Sequence, residues 1–281
     1  MKELSFPSGL NAIAGDYDAI LCDVWGVIHN GRQAFGAACD ALVEFRKTGK
    51  PVCLITNAPV PKAQVIRYFE PLGVPPEAFD DCVSSGDATR EELRKREGDR
   101  VWRMGADEGW EHDRFLYKGL DIEFSGPDDA DLFLCIGLDD QVNDDPEEYR
   151  GRMQPAIDRS LPMLCANPDI KVRVGDKLYW CAGALAEVYK DMGGDVIYPG
   201  KPHAAIYELA CARIGNPDPQ RILCIGDSPA TDVKGAKAQG MSALYVGTGL
   251  QVHGSDFRSE VHELLSNYGV NANYAMLGLA W

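Results

Sequence analysis

Short apolar segments alternate with longer amphipathic segments along the 281 residues of the chain. The apolar segments are rich in β-branched residues, which is typical of strands buried on both faces, and lie at 17–25, 51–57, 130–138, 162–167 and 221–228. The amphipathic segments have apolar residues three and four positions apart and predict helices over 34–50, 146–161, 182–194 and 203–215. Strands that alternate with helices favour a parallel sheet covered on both faces. The pattern therefore predicts an α/β fold with a Rossmann-like, doubly wound parallel sheet.

Composition and charge narrow the classes of partner. With 45% hydrophobic and 25% charged residues, the chain is typical of globular proteins, and its formal net charge is −15. That charge argues against nucleic acid or an anionic membrane as the main partner. A small phosphorylated ligand stays possible, because a local cation outweighs charges that salt screens beyond about 8 Å. No apolar run approaches the roughly 18 residues of a membrane span.

Cysteine usage and the first residues bear on the compartment. The chain has nine cysteines and no C-x-x-C pattern, and several of them interrupt apolar runs, such as Cys22 in "ILCD" and Cys224 in "ILCI". Such cysteines are typical of buried small hydrophobes in a reducing compartment. The start, "MKELSFPSGLNAIAGDYDAI", lacks a convincing secretory pattern. We expect a cytoplasmic protein.

Polar side chains follow three of the predicted strands, where function collects in parallel sheets. Asp23 ends the first strand, and Thr56 with Asn57 ends the second. Asp227 ends "ILCIGD", and Lys201 lies in "YPGKPH" just before a helix. A single aspartate there is most often a turn former or a helix cap. Several carboxylates at adjacent strand ends would repel one another without a cation between them, and their hard oxygens suit Mg²⁺.

Four short motifs carry a family resemblance. In chain order, "DVWGV", "LITN", "GKP" and "GDSPATD" resemble the motifs of the haloacid dehalogenase (HAD) superfamily of phosphotransferases. The interval from Thr56 to Lys201 is too long for one crossover and predicts an inserted α/β cap domain. With "NPD" at 167–169, this position resembles subfamily IIA, which has a C2-type cap and includes N-acetylglucosamine-phosphate, nitrophenyl-phosphate and pyridoxal-phosphate phosphatases. We expect a discontinuous core at 1–85 and 196–281 and a cap at 86–195.

The resemblance implies a role for each motif residue. Asp23 would be the nucleophile that forms an aspartyl phosphate. Mg²⁺ would be held by Asp23, the backbone carbonyl of Trp25, Asp227 and Asp232, the last of which would orient Lys201 or a metal-bound water. The transferring phosphoryl group would be bound by Thr56, Asn57 and Lys201. Simpler interpretations stay open: Thr56 as a cap, Lys201 as a solvated cation, and Asp232 as a carboxylate at a helix N-terminus.

Two residues of the insert are further candidates for substrate binding. Asn167 and Asp169 in "ANPDIKVRVG" would face the substrate if this segment lies nearest the site. The same "NPD" is also an ordinary turn sequence.

Trp25 departs from the family pattern. Phosphatases of the family usually have a second aspartate two residues after the nucleophile, and it acts as the general acid. An indole cannot exchange a proton near neutral pH. Positioned acid–base help is worth a factor of about 10² to 10⁴. The enzyme would therefore be slow, or use a substrate with an acidic leaving group, or recruit another acid such as His29.

Three functions are compatible with these motifs. The first is a Mg²⁺-dependent phosphatase acting on a small phosphorylated metabolite. The resemblance implies that it pairs as a homodimer through the cap, as its relatives often do. The second is a phosphate-ligand binding protein with little or no turnover. The third is a metal-independent dehalogenase, since dehalogenases of this superfamily have an aromatic residue at the position of Trp25. EDTA would abolish phosphatase turnover and leave dehalogenation unchanged.

Overall fold

The structure, a computed structural model, describes residues 4–105, 115–174, 177–249 and 256–281. Its strands are β1 (Ala19–Asp23), β2 (Val52–Thr56), β3 (Asp81–Ser84), β4 (Arg100–Met104), β5 (Glu123–Phe124), β6 (Leu132–Cys135), β7 (Met163–Cys165), β8 (Lys171–Val174), β9 (Lys177–Trp180), β10 (Val196–Ile197), β11 (Ile222–Gly226), β12 (Ser242–Val246) and β13 (Tyr274–Met276). Its α-helices are α1 (Gly36–Lys47), α2 (Lys62–Arg67), α3 (Phe69–Leu72), α4 (Ser85–Arg94), α5 (Arg150–Asp158), α6 (Ala182–Asp191), α7 (Ala204–Arg213), α8 (Lys234–Ala238) and α9 (Phe257–Asn267). None of the described helices combines the length and apolar character needed to cross a bilayer.

The chain forms two compact units. The first comprises Met1–Thr56, Ile66–Val83 and Lys201–Trp281, and the second comprises Asn57–Val65 and Ser84–Gly200. The predicted boundaries after residues 85 and 195 stay a prediction; the second unit also takes up the short segment that directly follows β2.

The first unit is built on a parallel six-stranded sheet with the order β13-β12-β11-β1-β2-β3. Every residue of β1, β2 and β11 is buried, as expected for strands covered on both faces. Strand β1 pairs with β11 on one side and with β2 on the other, and Asp23 lies opposite Ile55 in the second pairing. The carboxyl ends of these three strands therefore meet at one edge of the sheet.

The second unit has its own parallel five-stranded sheet with the order β10-β7-β6-β4-β5. A separate antiparallel hairpin is formed by β8 and β9. The core of this unit includes Phe133 and Tyr189, which are buried and pack edge to face, and Trp102, whose ring stacks on Phe133 at 4.3 Å between centroids. An inserted unit with a sheet and an apolar core of its own confirms the predicted α/β cap.

The five strands and four helices predicted from the pattern are all present, with ends that differ by a few residues. The helix predicted over 146–161 is divided in two, because a 3-10 turn at Pro146–Tyr149 precedes α5. Strands β3, β12 and β13 of the main sheet were not predicted from the pattern. Strands β3 and β13 are four and three residues long, and runs of that length carry too little periodicity to be told from loops. Strand β12 is as long as β1 and nearly as buried, so its apolar run was a usable signal.

Candidate active site

Three neighbouring strands of the first unit end in polar residues. Asp23 is the last residue of β1, Thr56 is the last residue of β2, and Asp227 directly follows β11. All three residues are buried, with 5 to 8% of their surface exposed. Since the strands are adjacent and parallel, their polar ends lie on the same edge of the sheet, as the sequence predicts.

Lys201 lies between two of the carboxylates. Its Nζ donates to Asp23 Oδ1, to Asp232 Oδ1 at 2.8 Å, and to the carbonyl oxygen of Ile55 at 3.4 Å. Lys201 is 2% exposed, so its stem and its charge are both inside the protein. Burial of a charge is costly unless it is paired and hydrogen-bonded, and the two carboxylates and the carbonyl oxygen provide that pairing. Lys201 is therefore part of the site and not the solvated cation of the simpler interpretation.

Asp232 is held from its other side. It lies in a π-helical turn, Pro229–Val233, and its Oδ2 accepts a hydrogen bond from the backbone N–H of Ser228 at 3.1 Å. Gly226 makes room for it, because a Cβ atom on Gly226 would lie 2.1 Å from the Asp232 Cγ. Both oxygens of Asp232 thus have fixed partners, one on Lys201 and one on the backbone.

Asp23, Asp227 and Asp232 form a group that can hold a metal ion. One carboxylate oxygen from each lies within 4.8 Å of the others. Three carboxylates and one ammonium group give the cluster a formal charge of −2. Burial is the main reason that the pKa of Asp23 lies well above its usual range, and the charges of Asp232 and Asp227 raise it further against the opposing effect of Lys201. A hard divalent cation such as Mg²⁺ fits this donor set, since it would balance the charge and favour the ionised carboxylates.

Trp25 and His29 pack together in the loop that follows β1. Their ring centroids are 5.1 Å apart in an edge-to-face arrangement, and His29 packs in the same way on Phe69. A Cβ atom on Gly31 would lie 2.4 Å from the edge of the Trp25 indole, so glycine lets the loop close over the ring. His29 is 4% exposed, and burial lowers its pKa to about 4. Its imidazole is neutral at neutral pH, which argues against His29 as a substitute general acid.

Asn57, Asn167 and Asp169 belong to the second unit and bond to one another. The side-chain amide of Asn57 donates to Asp169 Oδ1 at 2.8 Å. The backbone N–H of Asp169 donates to Asn167 Oδ1 at 3.0 Å, which is an Asx turn. This bond agrees with the interpretation of "NPD" as a turn sequence. A role of these three residues in substrate binding stays a prediction.

The segment that follows β12 contacts the site, and the sequence pattern did not predict this. There, Thr248 donates from Oγ1 to the carbonyl oxygen of Gly26 at 2.5 Å, and Gly249 lies against Asp227. A threonine and a glycine just after a fourth strand could have placed this segment beside the site, but β12 itself was not predicted.

Comparison with known proteins agrees with the motif order and the fold. Residues 20–114 match the family model described as haloacid dehalogenase-like hydrolase, and residues 198–262 match a second model, described as HAD-hydrolase-like. The chain is 26% identical over 237 residues to the 5'-nucleotidase YutF of Bacillus subtilis (strain 168), an alignment that covers 83% of this chain and 88% of the nucleotidase.

Two solved structures extend the comparison. The p-nitrophenyl phosphatase of Archaeoglobus fulgidus has a TM-score of 0.73 at 20% identity, with 94% of this chain and 97% of that chain covered. A hydrolase of the haloacid dehalogenase-like family from Brucella suis 1330 has a TM-score of 0.84 at 38% identity, with 98% of this chain and all of that chain covered. With the strand-end carboxylates and the buried lysine already located, this coverage establishes that the chain belongs to the haloacid dehalogenase-like hydrolase family.

Proposed function

We propose that the protein is a Mg²⁺-dependent phosphatase that hydrolyses a small phosphomonoester through an aspartyl phosphate on Asp23. The observation that carries the proposal is the cluster itself: three carboxylates with oxygens within 4.8 Å of one another and a lysine that bridges Asp23 and Asp232. Among the described residues of the cluster, three carboxylates face one ammonium group, and a bound cation would balance the remaining negative charge. Two of the similar proteins, a 5'-nucleotidase and a p-nitrophenyl phosphatase, have activities of the same chemical class.

The metal would be held by Asp23, the backbone carbonyl of Trp25, Asp227 and Asp232. When bound, Mg²⁺ would offset the negative charge that otherwise keeps a phosphate ester away from a carboxylate. The remaining chemistry belongs to the side chains. Thr56 and Lys201 would bind the transferring phosphoryl group, and the hydrogen bond from Lys201 to Asp23 aims one carboxylate oxygen.

In the first step an oxygen of ionised Asp23 forms a bond to phosphorus as the bond from phosphorus to the ester oxygen breaks. The leaving oxygen keeps the electron pair of that bond as an alkoxide, and it takes a proton from water to give the alcohol and hydroxide. In the second step a water oxygen attacks the phosphorus, loses its proton to solvent, and displaces Asp23. The products are one alcohol and one inorganic phosphate, and Asp23 returns to its starting form.

The identity of residue 25 sets which substrates react fast. Trp25 cannot protonate a leaving alkoxide, and the neighbouring His29 is neutral and buried. Without that help, unactivated alkyl phosphates lose a factor of about 10² to 10⁴ in rate. The leaving groups of aryl and acyl phosphates are weaker bases and need little protonation. We infer slow turnover of alkyl phosphates and a preference for activated leaving groups.

A substrate screen with matched variants tests the proposal. Aryl, acyl and alkyl phosphates, including sugar phosphates, pyridoxal phosphate and nucleotides, are assayed with Mg²⁺ and with EDTA. We expect Mg²⁺-dependent release of phosphate that is lost in Asp23→Asn. Asp227→Ala should lose turnover together with Mg²⁺ binding measured by calorimetry. Asp18→Asn, which removes an exposed carboxylate bound to Arg221, is the control and should retain both.

Other outcomes would favour other functions. Stabilisation by a phosphorylated ligand without product would indicate a binding protein, and turnover that survives EDTA would contradict the metal assignment. Trp25→Asp restores a carboxyl group at the position of the missing acid. It should raise the rate on alkyl phosphates more than the rate on aryl phosphates, and an equal effect on both would refute the leaving-group argument. Pairing of two copies through the cap stays a prediction.

A further inference from the structure

We propose that Thr248 and Gly249, in the segment after β12, are positioning residues for the cation site of the first unit. Thr248 fixes the loop after β1, and Gly249 provides the space that Asp227 occupies. The inference rests on the proposed function, because it concerns how well the same carboxylates hold Mg²⁺. It adds the end of a fourth strand, β12, to the three strand ends that carry Asp23, Thr56 and Asp227.

The loop after β1 is held through both polar atoms of Gly26. The N–H of Gly26 donates to the carbonyl oxygen of His29 at 2.8 Å, and the carbonyl oxygen of Gly26 accepts from Thr248 Oγ1 at 2.5 Å. The N–H of Gly26 shares a planar trans peptide with the carbonyl of Trp25, so the two point in opposite directions. Fixing this N–H on His29 therefore fixes the direction of the Trp25 carbonyl, the proposed backbone ligand. The bond from Thr248 holds the next peptide in the same way.

Asp227 lies in a slot between two glycine backbones. A Cβ atom on Gly26 would lie 2.6 Å from Asp227 Oδ2, and a Cβ atom on Gly249 would lie 1.4 Å from the same oxygen. The two glycines are themselves close, since the Gly26 Cβ position is 3.0 Å from the Gly249 Cα. Any side chain at position 249 would have to push the Asp227 carboxylate out of its place.

The two glycines differ in whether their backbone conformation itself favours glycine. Gly26 has φ of +88°, a left-handed conformation that favours glycine by itself. Gly249 does not have a left-handed φ, so alanine at this position avoids that source of strain. Gly249→Ala therefore tests the space beside Asp227 alone. Since metal sites depend on ligand positions to within about 0.5 Å, displacement of one of three carboxylates should weaken cation binding.

The experiment compares four variants of the full chain. Mg²⁺ affinity is measured by calorimetry without substrate, and the Mg²⁺ concentration for half-maximal turnover is measured with p-nitrophenyl phosphate. Loss of an outer-shell partner commonly weakens metal binding by about 10- to 100-fold. We expect a loss in that range for Gly249→Ala and a loss of about tenfold for Thr248→Val. Thr248→Ser keeps the hydroxyl and should bind Mg²⁺ like the wild type.

Gly36→Ala is the matched control for the glycine variant, because a Cβ atom there meets nothing within 4 Å. Wild-type Mg²⁺ affinity in both Gly249→Ala and Thr248→Val would overturn the inference while leaving the proposed function intact. If Gly249→Ala does not fold, the two Thr248 variants decide: wild-type Mg²⁺ affinity in Thr248→Val as well as in Thr248→Ser would overturn the inference. If the wild type itself binds no Mg²⁺, the proposed function and this inference fall together.

Discussion

His29 should make the stability of the first unit depend on pH in a predictable way. The side chain is buried, and Trp25 and Phe69, the two rings that pack on it, supply no counter-charge. Its Nδ1 accepts a hydrogen bond from the backbone N–H of Gly31 at 3.1 Å. Protonation would turn Nδ1 into a donor and break that bond, because both ring nitrogens of a charged histidine donate. Both effects favour the neutral ring in the folded state.

The size and sign of the effect follow from the pKa. Burial lowers the pKa of His29 from 6.5 to about 4 in the folded state. The unfolded state therefore binds more protons between these values, and the free energy of unfolding falls as pH falls through the window. The contribution is fully present above pH 6.5. At about 1.36 kcal/mol per pKa unit, roughly 2 kcal/mol is lost between pH 8 and pH 5, and about 3 kcal/mol by pH 4.

Urea unfolding of the wild type and of His29→Asn at pH 8, 5 and 4 measures how much His29 changes the free energy of unfolding with pH. Asparagine does not titrate, and its Oδ1 can accept from the N–H of Gly31. Other carboxylates titrate in both proteins, so the difference between the two curves isolates the histidine. That difference should change by about 2 kcal/mol between pH 8 and pH 5. The exposed His262 on α9 provides the control, His262→Asn. Parallel curves for wild type and His29→Asn would refute the reasoning.

Three further predictions concern single contacts. Gly226→Ala should lower kcat/KM by about 10- to 100-fold, since its Cβ would meet Asp232 at 2.1 Å; unchanged steady-state kinetics would contradict the packing. Ser84→Ala should cost about 1 kcal/mol in urea unfolding, because Ser84 forms a capping box with Asp87 at the start of α4. Asp80→Ala should cost about 1–2 kcal/mol, because its carboxylate accepts from the backbone of β2 and from an arginine; an unchanged unfolding midpoint would count against it.

The central strands could be predicted because burial on both faces leaves an unbroken apolar run. Strand β1 and strand β11 are five residues long and wholly buried, so each run is distinct from the helices beside it. The short edge strands could not be found in this way. Strands β5 and β10 have two residues each, and their pairing depends on neighbours that lie far away in the sequence.

The charged part of the candidate site could be predicted for a similar reason. The carboxyl ends of parallel strands converge, so aspartates at two strand ends and a lysine before a helix indicate one cluster. The uncharged groups that bond to the site residues, such as Thr248 and the Ser228 amide, are placed by tertiary contacts that cannot be inferred from the sequence. Nothing in "VGTG" indicates that Thr248 bonds to Gly26, and nothing in "GDSPATD" indicates that the Ser228 amide holds Asp232.

The strand order also has a consequence for synthesis on the ribosome. The first strand of the chain lies in the middle of its sheet, and one of its two neighbours, β11, begins at Ile222. Until that late segment emerges, one side of β1 has unpaired backbone groups, and Lys201 lacks its partner Asp232, which follows β11 in the sequence. During synthesis, β1 is therefore an unpaired edge strand until more than three-quarters of the chain has been made. A stalled or C-terminally cleaved product should be prone to aggregation or held by chaperones.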